Sequence, residues 1–203
     1  MQIILVRHGE SVGNFENRLQ GQADYDLTDL GHRQAGRTAE RLHALGASAV
    51  YSSHLMRANA TALAIAARLG VSPMVTEDVS EYHFGEMSGA TYAEVREKFG
   101  AIANPAERVY PGEEGRDAFF ARVTGAVLRI ADSHADETVA IVSHGGPIAL
   151  FCQHVLGLPY KRPMPFSIDN CSLNIVDVTA NRSGERELRL VRLNDTCHLV
   201  GLT

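Results

Sequence analysis

The sequence predicts an α/β fold: a three-layer sandwich with a mainly parallel central sheet, helices on both faces and an antiparallel edge hairpin. Short apolar runs alternate with segments of helical composition over most of the 203 residues, which is typical of a parallel sheet covered by helices. Near the C-terminus, two alternating segments flank a polar turn at 181–184, which indicates a hairpin. No compositional break divides the chain, so we expect one domain over 1–203.

The individual elements follow from hydrophobic periodicity and from helix start and stop signals. Thr28 is a suitable N-cap for a helix that ends at Gly46, and Gly70 is a natural stop for the next helix. The predicted strands are 3–6, 49–51, 74–76, 138–142, 173–178 and 188–193, and the other predicted helices are 54–69, 91–99, 116–133 and 145–156. We expect loops over 81–90 and 104–112, where glycine, proline and mixed polarity prevail.

Composition narrows the classes of partner. A net charge of −5 argues against nucleic acid, which usually requires a basic face, although a few arginines can still make a pocket for a small anion. We expect no membrane partner and a cytoplasmic protein, because the N-terminus lacks a signal peptide and no apolar run approaches the ~20 residues of a membrane span. Cys152, Cys171 and Cys197 show no C-x-x-C spacing, and we expect reduced thiols in the core.

Two histidines directly follow predicted strands, His8 after the first and His144 after the fourth. A single histidine is more often a surface residue than a functional one. In parallel sheets, however, ligands collect beyond the carboxyl ends of the strands. The prediction therefore brings Arg7-His8, Ser52-Ser53 and Ser143-His144 to one rim, with the two imidazoles across a pocket.

The segment Leu5-Val6-Arg7-His8-Gly9-Glu10-Ser11 closely resembles the signature of the histidine phosphatase superfamily, the phosphoglycerate mutase-like proteins. Further blocks follow in family order over nearly the whole chain. They are Asn14, Leu27-Thr28-x-x-Gly31, Ser52-Ser53-x-Leu55-x-Arg57-Ala58-x-x-Thr61-Ala62, Glu81 with Gly85-Glu86-x-x-Gly89, Val142-Ser143-His144-Gly145-Gly146 and Asn170-Cys171-Ser172. The resemblance implies the α/β sandwich of that family and phosphoryl transfer through a phosphohistidine.

By this resemblance His8 is the nucleophile, and Arg7, Arg57 and His144 hold the phosphoryl group. The chemistry explains these residue types, since the transferring group carries negative charge on three oxygens that cations and hydrogen-bond donors stabilise. The resemblance also implies phosphate-binding positions at Asn14, Gln20 and Gly145. At Gly9 we expect the backbone to approach the phosphate with its amide pointing inward.

A general acid must protonate the leaving oxygen and later deprotonate the attacking water. The resemblance assigns this role to Glu81, because Gly145 rather than aspartate follows His144. Glu86 is a nearby competitor. We expect neither a metal nor a cofactor, since the sequence shows no ligand spacing for zinc, no aspartate-rich cluster and no Walker-type loop.

The leading functional hypothesis is a phosphomonoesterase, closest to the broad-specificity phosphatase branch that Gln20 resembles, acting on a small phosphorylated metabolite. The alternatives are a dedicated sugar-bisphosphate or α-ribazole phosphatase, a phosphoglycerate mutase and a non-catalytic phosphate-binding protein. Against a mutase, the segment 99–113 is short and carries only Arg108 as a basic residue. An apolar lip for aromatic or lipid-like esters is a further option; its members would be Phe84, Met87, Tyr92 and Tyr110.

The edge hairpin over 173–193 is expected to be available for pairing with another subunit, which would give a homo-oligomer.

Overall fold

The computed structural model describes residues 1–100, 110–159 and 165–202. The strands are β1 (Gln2–Arg7), β2 (Ala49–Ser53), β3 (Met74–Thr76), β4 (Thr138–Ser143), β5 (Leu173–Ala180) and β6 (Arg186–Asp195). The helices are α1 (Val12–Phe15), α2 (Asp29–Ala44), α3 (Met56–Leu69), α4 (Tyr92–Phe99), α5 (Arg116–Asp132) and α6 (Gly145–Val155). Most of the predicted loop 104–112, including Arg108, lies outside the described residues.

The strands form one six-stranded sheet in the order β3-β2-β4-β1-β5-β6. β1, β4, β2 and β3 run parallel, whereas β5 pairs antiparallel with both β1 and β6. The predicted architecture is confirmed, including the hairpin of β5 and β6 at one edge.

Each face of the sheet buries its own apolar layer. On β1, Ile3 and Leu5 belong to the layer packed against α5 and α6, whereas Ile4 and Val6 belong to the layer under α2 and α3. Side chains alternate between the faces of a strand, so a continuous apolar run is required when both faces are covered. Because both faces are buried, the short central strands are continuous apolar runs, and this is why the sequence predicts them.

Several boundaries differ from the sequence prediction. β1 includes Arg7, because its pairing with β4 extends to Ser143. Thr28 caps α2 as expected, its hydroxyl accepting a hydrogen bond from the Gly31 amide, but α3 begins at Met56, with Leu55 as a cap lacking any side-chain hydrogen bond. The prediction that all three thiols lie in the core is wrong for Cys197: it lies in an exposed short turn after β6, whereas Cys152 and Cys171 are buried.

The order of the strands creates a crevice at the carboxyl edge of the sheet. The chain leaves β1 toward α2 on one face, while β4 continues into α6 on the other. Adjacent parallel strands whose connections diverge in this way leave a gap at their carboxyl ends, the usual place for ligands in α/β sheets.

No helix in the described ranges is both long and apolar enough to cross a membrane.

Candidate active site

The two histidines meet in this crevice. The ring centroids of His8 and His144 lie 5.1 Å apart, with the ring planes tilted by 58°. His8 is 2% exposed and His144 is fully buried. Positions 136 residues apart in sequence are thus brought together by the pairing of β1 with β4.

The backbone fixes the orientation of His8. Its Nδ1 lies 2.7 Å from the carbonyl oxygen of Gly9, so Nδ1 carries the proton and Nε2 keeps its lone pair. Burial lowers the pKa of His8 well below 6.5, and the charges of Arg57 and Arg7 lower it further. The imidazole is therefore neutral near pH 7, as a nucleophile must be.

His144 is held from the opposite side. Its Nε2 lies 2.9 Å from the hydroxyl of Ser53 at the end of β2, while its Nδ1 is buried without a hydrogen-bond partner. Burial, followed by the charge of Arg57, lowers the pKa of His144 well below 6.5. His144 thus presents one nitrogen to the fold and the other to the crevice.

Two arginines flank the imidazoles. Arg57, on the first turn of α3, is 1% exposed and donates to the carbonyls of Ala23 at 2.9 Å and Gly21 at 2.7 Å. Arg7 donates to the carbonyl of Ile168. Burial lowers the pKa of Arg57 to about 10, so the group remains a cation at neutral pH.

These side chains leave donors unused. Five buried side-chain nitrogen or oxygen atoms in the described residues lack a partner, and three of them are Arg7 Nε, Arg57 Nε and His144 Nδ1. A buried donor without a partner costs stability, so such groups in one place require an explanation. Two guanidinium groups and an imidazole around one crevice are a donor set suited to an oxyanion.

Asn14 and Gln20 are tied to the same loop through their amide oxygens. Ser11 Oγ lies 2.9 Å from Asn14 Oδ1 and 2.8 Å from Gln20 Oε1. Asn170 Nδ2 also contacts Asn14 Oδ1, at 3.2 Å, and donates to the His8 carbonyl at 2.9 Å. With their oxygens engaged, Asn14 and Gln20 keep their NH₂ groups as the donors for other contacts.

Glu81 is positioned by backbone amides. Its Oε1 accepts a hydrogen bond from Tyr82 N at 2.8 Å and its Oε2 accepts one from Gly146 N at 3.1 Å. A Cβ on Gly146 would collide with the Glu81 carboxylate, so any larger residue there would push the carboxylate out of this position. The competitor Glu86 instead forms an exposed ion pair with Lys98.

Gly145 and Gly9 have different roles in the packing. Gly145 begins α6, and its Cβ position would lie 3.9 Å from Arg7 Nε, at the crevice. The expectation for Gly9 is wrong: its amide donates to Thr61 Oγ1 at 3.0 Å rather than pointing into the crevice. A Cβ on Gly9 would lie 2.5 Å from the Gly31 carbonyl oxygen, so close packing against Gly31 is what requires glycine.

The sequence analysis missed residues that hold the site indirectly. Arg122 on α5 donates to the backbone carbonyls of Asp78 and Ser80, both at 3.0 Å, and pairs with Glu114, which fixes the segment leading to Glu81. Gln22 donates to the Glu81 carbonyl at 3.1 Å. No local sequence signal marks Arg122 or Gln22, whereas Asn170 lies inside a block that resembles the family.

The apolar lip is only partly formed. Met87 and Tyr110 are buried with Val95 in a small core cluster, and Phe84 packs against it. Tyr92 is exposed, yet partial burial raises its pKa, and the charge of Glu81 raises it further.

The described residues contain no group of three or more histidine, cysteine, aspartate or glutamate side chains arranged to hold a metal ion. The cations at the crevice are instead the two arginines.

We expect His8 and His144 to stay neutral at pH values where an ordinary histidine, with a pKa of about 6.5, is half protonated. Heteronuclear NMR of ring nitrogens across pH 5–8 measures this. Because the unfolded chain binds these protons more readily than the folded one, stability should also fall as pH drops below about 6.5. Midpoints near 6.5 for both rings would contradict the buried site.

Comparison with known proteins agrees with the resemblance seen in the sequence motifs. Residues 3–196 match the family model of the histidine phosphatase superfamily (branch 1). The chain is 41% identical over 155 residues to phosphoglycerate mutase-like protein 4 of Arabidopsis thaliana, covering 72% of this chain and 67% of that protein. It is 32% identical over 205 residues to phosphoserine phosphatase 1 of Hydrogenobacter thermophilus, covering 98% and 94%.

A further relative is the metal-independent phosphoserine phosphatase of Arabidopsis thaliana, 40% identical over 155 residues and covering 71% of this chain and 64% of that protein. Among solved structures, a mycobacterial glucosyl-3-phosphoglycerate phosphatase in complex with VO3 superposes with a TM-score of 0.86 at 29% identity, covering 96% and 99%. The crevice, the order of its residues along the chain and these likenesses agree: the chain belongs to the histidine phosphatase superfamily.

Proposed function

We propose that this chain is a phosphomonoesterase that hydrolyses small phosphate esters through a phosphohistidine on His8. One observation carries the proposal: the unpaired buried donors Arg7 Nε, Arg57 Nε and His144 Nδ1 belong to side chains that gather around the neutral His8 ring. A dianionic phosphoryl group offers acceptors for these donors and negative charge for the guanidinium groups. A non-catalytic phosphate-binding protein would not require a neutral nucleophile at the same place.

In the first step, the lone pair of His8 Nε2 attacks phosphorus while the bond from phosphorus to the ester oxygen breaks. Arg7, Arg57 and His144 hold the three equatorial oxygens, with the NH₂ groups of Asn14 and Gln20 and the Gly145 end of α6 as further contacts. The His8 proton remains on Nδ1, where the Gly9 carbonyl stabilises the positive ring. The product is a phosphohistidine and an alcohol.

Glu81 completes both steps as acid and base. It donates a proton to the departing ester oxygen, and its carboxylate then accepts a proton from the water that attacks phosphorus. That attack breaks the bond between phosphorus and His8 Nε2 and releases inorganic phosphate. The amides of Tyr82 and Gly146 hold the Glu81 carboxyl group in place, and the charge it carries after the first step acts on both arginines.

The substrate class is a small phosphorylated metabolite. Relatives are named as phosphatases of phosphoserine and of glucosyl-3-phosphoglycerate, and these names support hydrolysis of small esters here. Rapid isomerisation of 3-phosphoglycerate in the presence of its bisphosphate primer would instead show that the protein is a mutase. A metabolite panel that includes sugar bisphosphates and α-ribazole phosphate tests the dedicated phosphatases.

The His8→Ala variant should lose p-nitrophenyl phosphate hydrolysis by at least about 1,000-fold, because no other group can form the covalent intermediate. Acid-labile, alkali-stable phosphoprotein, trapped by quenching during turnover, should disappear with it. His43→Ala, which removes an exposed histidine of α2, is the matched control. Persistence of the phosphoprotein in His8→Ala would identify a different nucleophile.

Glu81→Gln should lower turnover of alkyl phosphates by about 10²–10⁴-fold, but that of p-nitrophenyl phosphate much less, because the better leaving group needs little protonation. Gly146→Ala should reproduce this pattern, since its methyl group displaces the carboxylate. Glu86→Gln and Gly36→Ala, an exposed glycine with open space around it, are the controls. Equal losses on both substrates would show that Glu81 is structural.

Hydrolysis should survive EDTA and dialysis, because fixed arginines and His144 stabilise the phosphoryl group. One Arabidopsis relative is named a metal-independent phosphoserine phosphatase, which supports the same expectation. Initial rates before and after chelation, with added Mg²⁺ or Zn²⁺ as the comparison, measure this. Activity abolished by EDTA and restored by a metal would overturn the metal-free mechanism.

A further inference from the structure

A chain of hydrogen bonds runs from the buried His144 to the protein surface. His144 Nε2 lies 2.9 Å from Ser53 Oγ, Ser53 Oγ lies 3.1 Å from Ser80 Oγ, and Ser80 Oγ lies 3.0 Å from His54 Nδ1. Both serines are buried, whereas His54 is exposed in the turn between β2 and α3. The chain therefore connects the buried imidazole of His144, through its Nε2, to an exposed histidine by three short contacts.

The hydroxyl groups can be aligned in one direction without conflict. Ser53 Oγ also receives the Leu55 amide at 3.3 Å, so it can accept from Leu55 and Ser80 while donating its own proton to His144 Nε2. Ser80 can then donate to Ser53 and accept from His54 Nδ1. In this arrangement a neutral His144 carries its proton on Nδ1, facing the crevice.

The opposite direction is equally well satisfied. If His144 carries a proton on Nε2, Ser53 accepts from it and from Leu55, and donates to Ser80, which donates to His54 Nδ1. With Nδ1 protonated throughout, the first direction corresponds to a neutral His144 and the second to the cation, which carries a proton on both ring nitrogens. Switching between them requires only that each hydroxyl gives up one proton and receives another.

His144 needs such a path because its charge must change with the contents of the crevice. Charged and titratable groups face it from several elements. They are Arg7 at the end of β1, His8 directly after β1, Arg57 from α3 and His54 from the turn after β2, with Glu81 bound to the first turn of α6. Without an anion, burial and the arginines favour the neutral ring. A bound dianion favours the cation, yet no part of the ring is exposed to water.

We propose that His54, Ser80 and Ser53 form a proton relay that protonates His144 when a phosphate group binds and removes the proton when it leaves. During loading, His54 Nε2 takes up a proton from the bulk solvent as His54 Nδ1 gives its proton to Ser80, Ser80 gives its proton to Ser53, and Ser53 gives its proton to His144 Nε2. His54 ends neutral with its proton on Nε2, so one proton in total enters the protein. Unloading is the reverse sequence. The proposal rests on the proposed function, which places the phosphate beside His144.

Proton uptake on binding of inorganic sulfate tests the relay. Sulfate is a tetrahedral dianion that does not titrate near pH 7, so any proton taken up belongs to the protein. Stopped-flow mixing at pH 7.5 with a pH indicator gives the rate, and calorimetry in buffers of different ionisation enthalpy gives the number of protons. Inorganic phosphate binding and p-nitrophenyl phosphate turnover are measured in parallel.

Wild type should take up about one proton rapidly on binding sulfate. Ser80→Ala interrupts the chain but leaves the contact of Ser53 with His144, and His54→Gln removes the exposed donor. Both should slow proton uptake by about tenfold or more, and free imidazole should restore the rate of His54→Gln but not that of Ser80→Ala. His43→Gln is the matched control for loss of an exposed histidine.

Unchanged uptake rates in both variants would overturn the relay while leaving the phosphatase intact. A loss of sulfate affinity in Ser80→Ala that is equal at every pH, with normal uptake in His54→Gln, would overturn it in favour of a structural hydroxyl. Absence of sulfate and phosphate binding in wild type, together with absence of hydrolysis, would instead defeat the proposed function itself.

Discussion

The dominant constraint in this molecule is the burial of positive charge beside two neutral imidazoles. Arg7 and Arg57 lie with His8 and His144 at the carboxyl edge of the sheet, and Glu81 is the carboxylate whose charge acts on both guanidinium groups. Burying an ion is costly unless it is paired and hydrogen-bonded. Backbone carbonyls of Gly21, Ala23 and Ile168 satisfy part of the guanidinium groups, and the remaining donors face the crevice. An oxyanion is the group that, in our proposal, completes this arrangement.

The rest of the fold keeps those charges in place. β1 and β4 are buried on both faces, so the positions of Arg7 and of Ser143, just before His144, are fixed by strand register rather than by flexible loops. Thr61 links the two sides of the crevice, accepting from the Gly9 amide and donating to the Arg57 carbonyl. Glycine is needed where two backbones meet, as at Gly9 against Gly31, and at Gly146 it leaves the Glu81 carboxylate room to hold its place. Rigid supports of this kind are what precise positioning of a reacting group requires.

Local signals made most of the fold predictable, because strands buried on both faces read as apolar runs and because Thr28 and Gly70 mark helix ends. Resemblance to a family was needed to select Arg57 and Glu81 among many exposed arginines and glutamates. The contacts of Arg122 and the hydrogen bonds that link His144, Ser53 and Ser80 could not be predicted from the sequence. They join segments that are distant in sequence and that only tertiary packing brings together. Gly9 shows a different limit of sequence analysis. A glycine indicates that there is no room for a side chain, but the sequence does not say which neighbour occupies the space, here the Gly31 backbone. Cys197 shows that residue type does not determine burial, because this cysteine is exposed whereas Cys152 and Cys171 are buried.

The site also sets a balance between stability and binding. Unpaired buried donors and histidines held neutral by burial both favour the unfolded chain, where water solvates the donors and protons bind freely. An anion that binds only the folded protein returns this free energy, by an amount that grows with the logarithm of its concentration over its Kd. In the proposed mechanism the same desolvation strengthens each contact to the phosphoryl group, because charges interact more strongly away from water. On that proposal, a crevice whose donors were all paired would be more stable when empty but would stabilise less well the charge that develops during phosphoryl transfer, which accounts for the incomplete hydrogen bonding of Arg7, Arg57 and His144.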